Sequence, residues 1–100
     1  MLQSELMVIG ICRLRLYLAG CASLKEKRSR IKPLLARLHR EFNVAAAEVA
    51  LQDVWQSAEI AVVNVANDSA RVQSQLENIP GWLERHFPEV VVEAHQIEQR

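Results

Sequence analysis

Residues 7 to 18 read MVIGICRLRLYL and alternate with a period of two. From Val8, every second residue is Val8, Gly10, Cys12, Leu14, Leu16 and Leu18, small or apolar throughout. The intervening set, Met7, Ile9, Ile11, Arg13, Arg15 and Tyr17, is mixed. That pattern predicts a strand with one buried side. The same stretch decides a second question. It leads into Leu18–Cys21, LAGC, which has the look of a lipoprotein cleavage box after an apolar run. A signal segment needs positive charge first and then an unbroken apolar core of roughly 7–15 residues. Here the first seven residues carry Glu5 and no Lys or Arg, while Arg13 and Arg15 fall inside the would-be core. A cation in hydrocarbon costs about 2.5–3.5 kcal/mol even on lenient scales. The reading is therefore strand, turn and helix, in a cytoplasmic protein without a membrane role.

After the turn, Ser23 is followed three residues later by Glu26, a capping-box spacing. Leu24, Ile31, Leu35, Leu38 and Phe42 then mark one stripe of a helix, with Leu34 at its border. Pro33 falls away from that stripe, so the expectation is a tolerated kink or a fresh helix start there. Asn43 is a left-handed stop. Val44–Leu51 predicts a weak, alanine-rich second strand, QDVWQ a connection, and Ser57–Asn67 a third strand. Asn67 and Asp68 cap a second helix with the stripe Val72, Leu76, Ile79 and Leu83. Pro80-Gly81 should bend or break it. Glu89–Ile97 is the last strand.

Strand, helix, strand, strand, helix, strand interleaves two right-handed crossovers into one four-stranded antiparallel sheet. The expected order is 4-1-3-2, with both helices on one face. This is an α+β, ferredoxin-like sandwich, and it leaves one sheet face open. One hundred residues, half of them apolar, suffice for one such domain over residues 1–100 without metal or disulfide staples. Cys12 and Cys21 have neither a metal-knuckle nor a redox-pair spacing, so both are expected as reduced thiols.

Several segments carry a resemblance: SLKEKR (23–28), FNV (42–44) followed by AEV (47–49), QDVWQ (52–56) and ND (67–68). In these the chain resembles the YlxP-like family of small bacterial proteins, a domain of unknown function. The likeness runs from about Val8 to the end and leaves MLQSEL, residues 1–6, as an N-terminal extension. It implies a ferredoxin-like fold, in agreement with the walk above. It also implies a neighbourhood of translation-initiation and ribosome-maturation factors, which points to RNA or a ribosomal particle as partner. It brings no catalytic residue.

The net charge of zero conceals an asymmetry. Residues 13 to 40 hold nine Lys or Arg and one acid, and the rest of the chain holds three Arg and eleven acids. Such a block makes a local field that attracts anions. The candidate contacts are Ser23, Lys25, Lys27, Arg28, Arg30 and Lys32. Lys27 and Arg28 fall at the edges of the apolar stripe. They either snorkel there or, with Ser23 and the helix-start amides, converge on an anion. Arg13 and Arg15 are expected to pair across strands with Glu59 or Glu93. The strands offer only Tyr17, at a strand end, and no aromatic residue in 57–67, so base stacking on the sheet is not expected. Trp55, with Asp53 and Gln56, belongs either to core-edge packing or to a recognition surface. Ile9 and Ile11, on the open face with Val63 and Val65, suit pairing with a second copy, a homo-oligomer. His39, His86 and His95 lack metal spacing, and Gly10, Gly20 and Gly81 make no phosphate loop. The expectation is a binding module rather than an enzyme, with no cofactor.

Overall fold

The computed structural model describes residues 6–100. The elements run β1 (Val8–Leu18), α1 (Leu24–Phe42), β2 (Ala45–Ala50), β3 (Ser57–Ala66), α2 (Ser69–Glu77), α3 (Ile79–His86) and β4 (Val90–Gln99). The sheet order is β2-β3-β1-β4, every pairing antiparallel. This is the expected 4-1-3-2 order. The proposed extension falls almost wholly on residues outside those described.

The alternation of β1 does what its pattern requires. Cys12, Leu14, Leu16 and Leu18 are fully buried on the helix side, while Arg13, Arg15 and Tyr17 face outward. Ala58, Ile60 and Val62 of β3 join the buried set, and Ile31, Leu34 and Leu38 of α1 close over it. Each fully buried leucine contributes about 1.5–3 kcal/mol relative to exposure. Ser23 caps α1, its Oγ accepting from the Glu26 amide at 3.0 Å. Asn43 ends the helix in the left-handed region at φ 51°. Pro33 is solvent-exposed and α1 runs through it as one helix. The second helical stretch is two helices. The break falls at Asn78, and Pro80 lies in the first turn of α3. That position suits proline, whose missing N–H is not needed there. Across the break the stripe continues as Val72, Leu76, Ile79 and Leu83, all buried.

Gly10 lies where β1 passes beneath α2. A Cβ there would sit 2.4 Å from Asn64 Oδ1, 2.4 Å from Val72 Cγ1 and 2.8 Å from Leu76 Cδ1. Only a residue without a side chain allows this approach.

Candidate functional site

The basic segment does not act as one unit. On α1, successive residues are about 100° apart, so those spaced by three, four and seven share a face. Lys25, Arg28, Lys32 and Arg40 fall in one outward row, and all four are exposed. None has an ion-pair or hydrogen-bond partner among the described residues, and no acid interrupts the row. Glu26 and Glu41 lie to one side, 3.7 Å from Arg30 and 3.9 Å from Arg37. Over its 19 residues α1 is about 28 Å long, and the row runs most of that length.

Lys27 and Arg30 leave the candidate set. Lys27 is 2% exposed. Its Nζ donates to the Leu51 carbonyl at 2.6 Å and lies 2.8 Å from Glu48 Oε2. The second contact is ionic, without hydrogen-bond alignment at that oxygen. A lysine so placed neither snorkels nor reaches an external phosphate. It ties the first turn of α1 to the β2–β3 hairpin. Arg30 bridges α1 to two backbone carbonyls, Ala19 at 2.8 Å and Glu89 at 3.2 Å. It links the β1–α1 turn to the start of β4. The Ser23 Oγ accepts from the Glu26 amide as the helix cap, and among the described residues its own O–H has no acceptor. Of the six candidates, Lys27 is buried and Arg30 is engaged with backbone carbonyls, while Lys25, Arg28 and Lys32 stand exposed in the outward row, to which Arg40 is added.

On the open face, Arg13 and Arg15 both bond Glu59, each through Nη2 at 3.0 Å, one to each carboxylate oxygen. Glu93 takes no part in an ion pair among the described residues. The two guanidiniums hold the Glu59 carboxyl below its ordinary pKa. Further along the same face, Ile9 pairs with Val65 and Ile11 with Val63. Val65 is 62% exposed. Asp53, Trp55 and Gln56 lie exposed in the β2–β3 connection, with Trp55 49% exposed, so it is not core packing. The core aromatic is Trp82, edge-on to Phe42 at 5.2 Å with the Arg37 guanidinium over its ring.

His39 Nδ1 meets the Val44 carbonyl and His86 Nδ1 the Trp82 carbonyl. Among the described residues no group of His, Cys, Asp and Glu is placed to hold a metal. None of their helices is long and apolar enough to cross a membrane. Asn64, buried on the helix side, donates to Gln75 Oε1 at 2.7 Å.

Comparison with known proteins bears on the family and the fold. A family model described as "Protein of unknown function (DUF503)" matches residues 9–96. The "Uncharacterized protein YlxP" of Bacillus subtilis (strain 168) is 33% identical over 83 residues, which cover 83% of this chain and 89% of that one. Among solved structures, the "De novo designed protein Foldit4" matches with a TM-score of 0.53 at 17% identity, over 94% of this chain and 96% of that chain. At that identity the likeness concerns the fold alone.

Proposed function

This chain belongs to the DUF503 family of proteins of unknown function, and we propose that it acts there as a non-enzymatic module that contacts RNA or a ribosomal particle through α1. One observation supports the reading: Lys25, Arg28, Lys32 and Arg40 form an exposed row without an acid and, among the described residues, without internal partners. Neutralising phosphates releases condensed counterions, and that release drives sequence-independent binding. The row offers point contacts to a backbone and no base-reading geometry, so the contact positions rather than specifies. The test is the affinity of the purified protein for structured RNA at low salt. Lys25→Glu/Arg28→Glu/Lys32→Glu should lower it at least a hundredfold. Lys27 is kept intact in that variant, because its replacement would act on folding. Equal affinity of variant and wild type would remove the reading.

A second reading has its own support. The pairs Ile9–Val65 and Ile11–Val63 form an apolar patch on the uncovered sheet face. Such a patch suits pairing with a second copy. On this reading Ile11→Glu converts a dimer to a monomer in sedimentation velocity. A wild-type protein that is monomeric at high concentration rules it out.

A further inference from the structure

We propose that the basin on the open sheet face binds one phosphorylated nucleotide, free or at one position of a single strand, with Arg13 and Arg15 holding the phosphate and Tyr17 the base. The site is on the face opposite α1 and does not depend on the role of the helix. The basin is an open depression of about 400 Å³ bounded by Arg13, Arg15, Glu59, Ala94, His95 and Gln96, and Tyr17 stands outside that lining, so a base would extend beyond the basin to reach it. Two cations share one carboxylate, which leaves one positive charge over. The carboxylate lies beneath them: the Glu59 side chain is 13% exposed, those of Arg13 and Arg15 56% and 50%. An approaching anion therefore meets the guanidiniums first.

Each guanidinium carries five N–H donors in a fixed fork. Among the described residues each arginine donates only through Nη2, to Glu59. The rest of each fork is unspent, and planar forks suit phosphate oxygens. Glu59, on the neighbouring strand β3, holds both β1 forks in place, which gives the rigidity a binding site needs. Tyr17 stands two residues beyond Arg15 on the same face of β1, about 7 Å along the strand. Tyr17 is 40% exposed and is paired in register with Ser57. The sequence argues against base stacking on the sheet; the exposure of Tyr17 two residues from the paired arginines reopens it for a single base.

The test uses the full chain at low salt with three probes: inorganic phosphate, uridine monophosphate and a fluorescein-labelled twelve-residue oligouridylate. The nucleotide should bind at least tenfold tighter than phosphate and should displace the oligomer in competition. Arg13→Gln/Arg15→Gln should weaken both nucleotide and oligomer at least tenfold. Tyr17→Ser should weaken the nucleotide about tenfold, as expected for loss of one stacked base, and leave phosphate unchanged. Arg13→Lys/Arg15→Lys, which keeps the charge and removes the forks, should lose severalfold. The α1 variant Lys25→Glu/Arg28→Glu/Lys32→Glu should still bind the mononucleotide. Nucleotide affinity unchanged in either arginine variant overturns the proposal. So does a nucleotide that binds no tighter than phosphate. So does nucleotide binding lost with the α1 variant and kept with Arg13→Gln/Arg15→Gln, a result that would leave the helix reading standing.

Discussion

The ammonium of Lys27 is 2.6 Å from the carbonyl of Leu51, twenty-four residues along the chain. Leu51 itself has a left-handed backbone, φ 65°, unusual for a bulky residue. Its carbonyl also accepts from the Val54 amide at 3.0 Å. Lys27 thus fastens a strained turn to the first turn of α1, with Glu48 supplying the opposing charge.

Breaking this clamp should be costly. Lys27→Met leaves Glu48 partly buried without its cation, and loss of one partner of a buried pair costs about 3–5 kcal/mol. Lys27→Met/Glu48→Leu should recover most of that stability, since apolar replacement of a whole buried pair is often near neutral. Urea unfolding of the two variants and of Glu48→Leu closes the cycle. A double variant as unstable as Lys27→Met would place the effect in the Leu51 turn instead.

Glu59 predicts a pH dependence. Its folded-state pKa is depressed, first by the hydrogen bonds from Arg13 and Arg15. The unfolded state therefore binds the proton more readily, and stability from this carboxylate is present above the ordinary value of 4.5 and lost as pH falls through the lower folded value. The Tm difference between wild type and Glu59→Gln should be largest near neutrality and close in acid below pH 4.5. A difference that is constant with pH contradicts the triad.

Gly10→Ala should destabilise the protein by about 3 kcal/mol or more, above the usual range for one added methyl. Two of the three atoms it would strike, on Val72 and Leu76, belong to fully packed side chains. Gly20→Ala meets no atom, and its cost comes only from a left-handed backbone, φ 68°, about 1 kcal/mol. Thermal unfolding ranks the pair, and the reverse ranking would contradict the β1–α2 approach.

Neither thiol should react with a disulfide reagent in the native state. Cys12 and Cys21 are both buried, and desolvation raises the Cys12 pKa to about 11, so its thiolate is scarce at neutral pH. Two equivalents of thiol should appear only in denaturant. Rapid native labelling of Cys12 would contradict the packing of β1.

Much of this architecture is legible from local patterns. The period of two in β1, the Ser23–Glu26 spacing and the Val72–Leu83 stripe each state their role within a few residues. The Arg13–Glu59 and Arg15–Glu59 pairs follow once the strand order is known. What is hidden in the sequence depends on distant backbone. A wheel places Lys27 beside the apolar stripe, but its partner is a carbonyl, and carbonyls leave no mark in a sequence. Arg30 is hidden for the same reason, since its Glu89 contact spans fifty-nine residues. Pro80-Gly81 marks a break in the sequence, but the break falls at Asn78, because proline fits the first turn of the new helix. Gly10 alone carried a readable signal, a glycine inside a strand, which marks close approach.

The central claim, that α1 meets phosphates with its outward row, is tested most directly by the salt dependence of RNA affinity. Four phosphate contacts predict a slope of log K against log salt of roughly −3 to −4. Lys25→Glu/Arg28→Glu/Lys32→Glu should flatten it to about −1 or less, at lower affinity throughout. A wild-type slope near zero, or the same slope in both proteins, would contradict it.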